Sequence, residues 1–278
     1  MKTLLSDRVR NVKALDRLGR GGRSAALRLF GPLDSAVLRL NRKRAFPPIH
    51  LRREVGPLPT FEIAAGEFAA LLAVFGRMTP RSRIIDIGCG CGSVAIAIRD
   101  RLGPSGRYYG LDVDRRAIEW CSRHLANERF RFKHHDYWNA LSNPAGTRFL
   151  PLAPGDAEAD IVLMKSVLTH VLPEDATFYF EETARVLRPG GTALITVYLY
   201  EDGDAVITDL CPHDAGNYRY RRKAAPESTI AFKRDWLDEQ ISRAGLSFDL
   251  HPGFWRASAF GGDSRGATHQ DLLIVRRA

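Results

Sequence analysis

The chain has 278 residues and a formal net charge of +9, and 45% of its residues are hydrophobic while 26% are charged. This composition is typical of a soluble globular protein with one large domain, with or without an appendage, and excludes a low-complexity chain. No apolar run is long enough to span a membrane, the N-terminus lacks a signal-peptide pattern, and four cysteines make no disulfide framework, so we expect a cytoplasmic protein.

The basic charge is concentrated at the N-terminus. Residues 1–56 contain fourteen Lys or Arg and four Asp or Glu, whereas the rest of the chain is nearly neutral. We therefore predict a basic helical arm over 1–59 and a main domain over 60–278. Within the arm, apolar residues recur at helical spacing near the start, and a further helix is predicted around 33–40.

The main domain begins with a predicted helix from Thr60 to Gly76, after which strands alternate with helices. Strands are predicted at 84–87, 108–111, 130–133, 160–164, 192–198, 247–250 and 271–275. Helices are predicted at 93–102, 115–126, 234–244 and from Pro173 to the turn at 188–191. Such alternation predicts a doubly wound, mostly parallel sheet, whose ligands bind beyond the carboxyl ends of the strands.

A glycine-rich loop follows the first strand, in the stretch RIIDIGCGCGSVAIAI at 83–98. A dinucleotide-binding loop requires G-x-G-x-x-G, but here the third glycine comes one position early. Asp86 also lies within the strand, where a carboxylate would repel a pyrophosphate but suits a ligand with a positive amino group. No Gly-Lys-Ser/Thr follows, so the loop is not a P-loop. The Cys89-x-Cys91 spacing is too short for a zinc knuckle, and we expect no metal.

Several segments in order resemble the class I S-adenosylmethionine-dependent methyltransferases, in particular their small-molecule branch. The resemblance covers about 80 to 278 and rests on the glycine-rich loop, on strand ends that carry Asp112 and Asp136, on 166–175, on 184–191 and on 270–275. It implies a Rossmann-like methyltransferase fold with a seven-stranded sheet whose last strand is antiparallel. It also implies S-adenosylmethionine as the methyl donor and S-adenosylhomocysteine as the product.

The resemblance also implies the residues that bind the cofactor. The predicted set is Asp86, Gly88, Gly90, Gly92, Asp112, Asp136, Tyr137, Lys165 and Ser166. Asp112 would accept from both ribose hydroxyls, and Asp136 from the adenine amino group. Alternatives stay open: Asp112 could be a helix N-cap, Asp136 a turn carboxylate, and Tyr137 simply a packing residue. Lys165 would contact either the amino-acid end of the cofactor or the substrate.

Methyl transfer from a sulfonium mainly requires alignment of the nucleophile, the methyl group and the sulfur. An oxygen nucleophile of high pKa also needs a base, and His170, just past the fourth strand, is the first candidate. His213 is the second, and local hydrogen bonding is the alternative role for His170. We expect His135 to be structural.

The long connections at 139–158 and 199–232 are predicted to form the acceptor pocket. We expect an oxygen or nitrogen of a small molecule to be methylated, such as a saccharide, a glycolipid or a secondary metabolite. The alternatives are an RNA methyltransferase recruited by the arm and a non-catalytic binding protein with this fold. The place after the fourth strand reads Met-Lys-Ser-Val at 164–167, without the Pro-Pro-aromatic motif of the family's amino-methylating nucleic-acid enzymes, and we expect no DNA partner.

The basic arm has three possible roles. It could be a helical lid over the pocket, as appended helices often are in this superfamily. It could also hold the protein at an anionic membrane surface, or serve as a handle for RNA. Arginines outnumber lysines eleven to three in 1–56, which suits bidentate contacts to phosphate in the last two roles.

Overall fold

The computed structural model describes residues 31–40, 46–52, 58–253 and 269–278. The chain divides into two compact units, Met1–Ala64 and Ala65–Ala278. Much of the predicted arm, including the helical segments before residue 31 and the basic run that follows residue 40, lies outside the described residues.

A buried ion pair organises the described part of the first unit. Helix α1 (Gly31–Leu40) carries Asp34 in its first turn. The fully buried Arg52 donates to one oxygen of Asp34 and, over 2.7 Å, to the carbonyl of Pro47. The backbone N–H of Ile49 donates to the other Asp34 oxygen over 3.0 Å. The pair therefore fastens residues 46–52 to the helix that precedes them.

Helix α2 (Leu58–Val74) begins two residues before the predicted N-cap at Thr60. Ala65, Phe68 and Leu72, which recur at helical spacing, are all buried. The chain turns at Gly76, where a Cβ would lie 2.7 Å from the Leu72 carbonyl oxygen, so glycine is required for the turn.

The described strands form two sheets. In chain order they are β1 (Arg83–Ile87), β2 (Arg107–Asp112), β3 (Phe130–His134), β4 (Ala159–Met164), β5 (Leu187–Val197), β6 (Leu199–Tyr200), β7 (His213–Asp214), β8 (Tyr218–Tyr220), β9 (Ile230–Lys233), β10 (Leu246–His251) and β11 (Asp271–Arg277). The larger sheet has the order β10-β11-β5-β4-β1-β2-β3. Strand β11 runs antiparallel to both of its neighbours, β10 and β5, and all the other pairs of this sheet are parallel. The predicted doubly wound, mostly parallel sheet with an antiparallel last strand is confirmed.

Helices of the second unit alternate with these strands. They are α3 (Ser93–Ile98), α4 (Arg115–His124), α5 (Pro173–Val186), α6 (Ala205–Leu210) and α7 (Arg234–Arg243). Helix α5 begins at a proline followed by Glu174 and Asp175, two acids that favour a helix N-terminus. Helix α3 ends four residues earlier than predicted, because the chain enters a turn in which the Arg101 N–H donates to the Ile98 carbonyl. None of the described helices combines the length and apolarity needed to cross a bilayer.

The predicted acceptor-pocket insertion at 199–232 folds into a second, smaller sheet. Its strand order is β6-β9-β8-β7, in which β6 and β9 are parallel and the other pairs are antiparallel. Ile230 and Phe232 of β9 are fully buried in the same apolar cluster as the larger sheet. The insertion is therefore part of the domain's core rather than a loose connection.

Candidate active site

The glycine-rich loop lies between the carboxyl end of β1 and the start of α3. The N–H groups of Gly88 and Cys89 both donate to the Leu111 carbonyl of β2, over 2.8 and 3.0 Å. Gly88, Gly90 and Gly92 all have positive φ, at 74°, 54° and 78°. The loop therefore has a left-handed residue at every second position and is held against the neighbouring strand, and glycine adopts this conformation at little cost.

The three glycines serve different purposes. A Cβ at Gly88 would lie 2.5 Å from the Val167 side chain, and one at Gly92 would lie 2.6 Å from Leu125. A Cβ at Gly90 would meet nothing within 4 Å. Packing explains two of the glycines, whereas the open backbone at Gly90 is where a ligand can approach the loop.

Buried thiols of the loop and of α4 lie around the Gly90 carbonyl. The Sγ of Cys121, on α4, lies 3.6 Å from the Gly90 carbonyl oxygen, and that of Cys89 lies 3.7 Å from the same oxygen. Burial raises the pKa of both thiols, so the protonated forms are favoured. These contacts show small side chains packed around a tight turn.

Asp112 connects the loop to the turn after β2. One of its oxygens accepts from the Gly90 N–H and the other from the Asp114 N–H, each over 2.7 Å. The N-cap of α4 is Asp114, which accepts from the N–H groups of Arg116 and Ala117. The alternative role of Asp112 as a helix N-cap is therefore wrong. Because a carboxylate oxygen has more than one lone pair, Asp112 can still accept from hydroxyls of a ligand.

Asp86 is a buried carboxylate beneath the loop, and it accepts from the hydroxyl of Tyr108 on β2. Burial raises the pKa of Asp86 to about 7, although the Tyr108 hydroxyl and the nearby Lys165 ammonium both lower it. Burial also raises the pKa of Asp112, to about 6. Two carboxyl groups on neighbouring strands thus titrate close to neutral pH at the edge where ligands bind.

Lys165 follows β4 and provides a positive charge at the same edge. Its ammonium lies 4.5 Å from the ring centre of Phe68, on α2, and has no hydrogen-bond partner among the described residues. Burial lowers the pKa of Lys165, and the carboxylates of Asp86 and Glu67 act in the opposite direction. A buried ammonium without a hydrogen-bond acceptor is costly, so an anionic ligand group would be a favourable partner.

Ser166 adopts a left-handed backbone, with φ of 60°, and is held by a network across three strands. Its N–H donates to the Thr196 hydroxyl over 2.8 Å, and its hydroxyl lies 3.0 Å from the side-chain oxygen of Gln270. The Thr196 hydroxyl donates to the same Gln270 oxygen over 2.6 Å. The network fixes the backbone beside Lys165. The sequence did not reveal it, because Gln270 is more than a hundred residues away.

His170 lies in a short 3₁₀ turn, Leu168–His170, past β4. Its Nδ1 is 2.9 Å from the backbone carbonyl of Glu227, in the insertion. A carbonyl can only accept, so Nδ1 carries the proton and Nε2 is the basic nitrogen of the neutral ring. The bond also fastens the insertion to the turn that follows β4.

Two residues of the predicted cofactor set, Asp136 and Tyr137, lie in different surroundings. The Asp136 side chain is exposed and accepts from the Asn143 amide over 2.9 Å, as a turn carboxylate does. Tyr137 is a core residue, which corrects its predicted contact with the cofactor. Its hydroxyl donates to Asp175 over 2.7 Å, and its ring stacks between His135 and the aromatic residues of α5.

His135 is structural, as its burial indicates. Its ring stacks on Tyr137 at 5.6 Å, and its Nε2 has no hydrogen-bond partner among the described residues. Burial lowers the pKa of His135 to about 4, so the neutral ring is favoured at physiological pH. Nearby, Arg148 pairs with Asp175 over 2.6 Å and covers the Trp138 ring at 4.8 Å.

The second base candidate, His213, lies on β7 of the smaller sheet. Its ring is half-buried and 5.2 Å from the ring of Tyr220 on β8. A pair that the sequence did not reveal lies at the carboxyl end of β5, where the Tyr198 hydroxyl is 3.4 Å from Nδ1 of His269. Both histidines therefore contact a tyrosine, and no described contact joins His213 to the loop residues.

Known proteins resemble this chain over the part that contains the glycine-rich loop and β1 to β5. A family model described as a methyltransferase domain matches residues 85–193, which begin within β1 and end within β5. This match over 85–193 and the curated relatives support the class I S-adenosylmethionine-dependent methyltransferase superfamily. The superfamily and the methyl donor predicted from the sequence are thereby confirmed.

The curated relatives of this chain are named for different substrates. It is 26% identical over 176 residues to the tRNA N(3)-cytidine methyltransferase METTL2 of Gallus gallus, which covers 59% of this chain and 42% of the relative. It is 28% identical over 149 residues to the malonyl-[acyl-carrier protein] O-methyltransferase of Hahella chejuensis, covering 51% of this chain and 48% of the relative. The chain thus spans less than half the length of these curated relatives.

Solved structures share the fold. The 1,6-didemethyltoxoflavin-N1-methyltransferase of Burkholderia thailandensis, solved with 1,6-didemethyltoxoflavin and S-adenosylhomocysteine, aligns with a TM-score of 0.51 and 20% identity. The alignment covers 89% of each chain. At this identity the match establishes the architecture and not the substrate.

The residues of this chain fit S-adenosylmethionine. The donor carries two ribose hydroxyls, an α-ammonium and an α-carboxylate, and the carboxyl edge offers Asp112, Asp86 and the Lys165 ammonium. Among the described residues the buried ammonium of Lys165 has no hydrogen-bond acceptor, and this observation best indicates a place for an anionic group of a ligand. Together with the open backbone at Gly90, this set has the charges that the donor needs.

Proposed function

We propose that this chain transfers a methyl group from S-adenosylmethionine to an oxygen or nitrogen of a small molecule. The observation that carries the proposal is the order of charges along the carboxyl edge of the sheet. Asp112 ends β2, Asp86 lies on β1 and Lys165 follows β4, and these strands are neighbours in the order β2-β1-β4. The donor can therefore extend from its ribose at β2 to its amino-acid end near β1 and β4.

The protein's contribution is mainly to place the two reactants. The donor supplies an activated methyl group on its sulfonium. Asp112 would accept from the ribose hydroxyls while it holds Gly90, Asp86 would face the α-ammonium, and Lys165 would donate to the α-carboxylate. Fixing the donor at both ends restricts the direction in which its methyl group points, which is the largest advantage available in such a reaction.

We propose His170 as the group that accepts a proton from the acceptor. The bond from its Nδ1 to the Glu227 carbonyl sets the tautomer in which Nε2 is basic. The same hydrogen bond joins His170 to the insertion. The position of this base relative to the pocket wall is therefore fixed. His213, on β7 of the smaller sheet, is the second candidate for the base.

A small-molecule acceptor is favoured by the folded insertion and by the similarity to the malonyl-[acyl-carrier protein] O-methyltransferase. The insertion is a sheet, and its strand β9 packs into the apolar core. A sheet held in this way suits the wall of a defined pocket. A saccharide, a glycolipid or a secondary metabolite would fit this class. RNA is the second candidate, and the similarity to a tRNA N(3)-cytidine methyltransferase favours it.

Two measurements test the proposal. Calorimetry with S-adenosylhomocysteine and with NAD should give binding of the first ligand only, because Asp86 opposes a pyrophosphate. Binding of NAD without any response to S-adenosylhomocysteine would overturn the assignment of the donor. Transfer of a labelled methyl group should then be compared between a small-molecule extract and total tRNA. If only the tRNA becomes labelled, RNA and not a small molecule is the acceptor class.

The role of residues 1–59 stays a prediction. Deletion of residues 1–45 should weaken cofactor or substrate binding if the arm is a lid. Salt-sensitive sedimentation of the full chain with anionic vesicles, lost on deletion, would instead make it a membrane anchor and favour a lipid-linked acceptor.

A further inference from the structure

The amino-terminal edge of the larger sheet, opposite the donor site, collects arginines that are far apart in the sequence. Two cavities open there. One, of about 330 Å³, is lined by Arg83, Arg107, Arg129 and Arg131 with Glu158. The other, of about 440 Å³, is lined by Arg77, Arg81, Arg188 and Arg276 with Asp160. We call these eight arginines the arginine edge.

Within the described residues, most of this positive charge has no carboxylate partner. Arg188 pairs with Asp160, and Arg276 pairs with Asp249. The other six arginines form no ion pair within the described part of the chain. Since all but the half-buried Arg129 are exposed, the edge presents a positive surface to solvent.

Two of these guanidinium groups are held in place by neutral acceptors. Arg107 donates to the carbonyls of Pro104 and Gly106 over 2.7 and 2.8 Å, and Arg129 donates to the carbonyl of Leu102. A carbonyl fixes the group without neutralising it, and the guanidinium fork has further N–H donors for another partner. Pre-positioned, uncompensated arginines are the arrangement that binds phosphate oxygens well.

The geometry points to a nucleic acid backbone as the ligand, and we propose that the arginine edge binds RNA. Six of the arginines lie at the ends of β3, β2, β1, β5 and β11, and Arg77 and Arg81 lie in the segment just before β1. With β4 between these strands, the row is about 24 Å long at about 4.8 Å per strand. A single phosphate would occupy only part of such a row, whereas a polynucleotide presents one phosphate after another along it. This proposal does not depend on which acceptor the donor site methylates.

The donor site is separated from this surface by the length of the strands. Five residues of β1 span about 17 Å between the two edges. RNA held at the arginine edge would therefore be retained by its backbone, and sequence recognition would not arise from these contacts.

The test uses the full chain, without methyl donor, and a fluorescein-labelled 20-nucleotide single-stranded RNA. Anisotropy titrations at several NaCl concentrations give the affinity and its dependence on salt. The variant R83Q/R107Q/R131Q removes three charges of the edge that pair with no carboxylate among residues 31–40, 46–52, 58–253 and 269–278. The control R116Q/R123Q/R243Q removes three exposed arginines of α4 and α7, so both variants change the net charge equally.

We expect the edge variant to lower the magnitude of the slope of log affinity against log salt by about two, because each of three lost phosphate contacts contributes about 0.7. At 0.1 M salt the affinity for RNA should fall by about 100-fold. The control should change affinity less than threefold. The thermal midpoint, which is independent of any proposed activity, shows whether both variants fold. Equal losses in both variants, or no retention of RNA by the unaltered chain, would overturn the proposal. The proposal would also be overturned if the unaltered chain did not bind RNA but bound anionic phosphatidylglycerol vesicles in a salt-sensitive way, and the edge variant lost this vesicle binding.

Discussion

Acidification should weaken binding of S-adenosylhomocysteine, because the two carboxyl groups of the donor site must be anionic to hold it. The pKa of Asp86 is raised to about 7 and that of Asp112 to about 6, both mainly by burial. Between pH 7.5 and 5.5 the anionic fraction falls about 25-fold for the first and about fourfold for the second. If the bound ligand requires both anions, the dissociation constant should rise about 100-fold, or about 2.7 kcal/mol.

Calorimetry at pH 7.5, 6.5 and 5.5 and constant ionic strength measures this change directly. Repeating the titration at pH 6 in buffers of different ionisation enthalpy should show release of about 1.4 protons on binding. In Asp86→Asn the remaining pH dependence should be only about fourfold, since Asp112 alone then titrates. A dissociation constant that stays within twofold over this range, without proton release, would refute the argument.

The stability of the unliganded protein should change in the opposite sense. A carboxyl whose pKa is raised on folding stabilises the folded state fully below its unfolded value of 3.8, and this contribution is lost as the pH rises through the folded value. Both carboxyls therefore make the unliganded protein more stable toward acid. The increase in thermal midpoint caused by S-adenosylhomocysteine should be larger at pH 7.5 than at 5.5, which also checks that weak binding in acid is not unfolding.

Five substitutions test single residues. Asp112→Ala should raise the dissociation constant of S-adenosylhomocysteine at least tenfold in calorimetry, because two hydrogen bonds to a charged acceptor are worth about 1.5–3 kcal/mol each; an unchanged constant in a folded variant would contradict its assignment to the ribose. Lys165→Met should also raise the dissociation constant of S-adenosylhomocysteine by about tenfold or more in the same assay. An unaltered constant would indicate that Lys165 contacts the acceptor and not the donor. His170→Ala should lower turnover about 100-fold or more, with donor affinity retained, and a loss below threefold would leave it structural. Gly90→Ala should mainly weaken donor binding, whereas Gly92→Ala, whose Cβ would lie 2.6 Å from Leu125, should mainly lower the thermal midpoint.

The larger sheet could be predicted from the sequence because each of its elements carries a local signal. Short apolar runs between turn residues mark β1 and β4, and helical spacing marks α4 and α5. The smaller sheet could not, since β6 and β7 have two residues each and are defined by their partners. The ion pair of Arg52 with Asp34 was missed for the same reason, because nothing local distinguishes a buried arginine from a solvated one.

The donor site shows the same division between local and distant information. The spacing of the loop glycines and the place of Asp112 at a strand end could be read directly, because the motif is continuous. Tyr137 could not be assigned, because whether an aromatic residue after a strand faces a ligand or the core depends on α5, which comes 36 residues later. The contact of Gln270 with Ser166 likewise depends on β11 being inserted beside β5.

The arginine edge escaped sequence analysis for a physical reason, and the same reason makes it separable from the donor site. The domain after residue 56 is nearly neutral in sum, so only the fold reveals that its charges are segregated. Over about 17 Å, roughly two Debye lengths at physiological salt, the exposed arginines are largely screened from the opposite edge. The charged neighbours that influence the pKa of Asp86 are Lys165 and Asp112, and none belongs to the arginine edge. Donor affinity and RNA retention should therefore vary independently, so that Asp86→Asn leaves the salt dependence of RNA binding intact and R83Q/R107Q/R131Q leaves the pH dependence of donor binding intact.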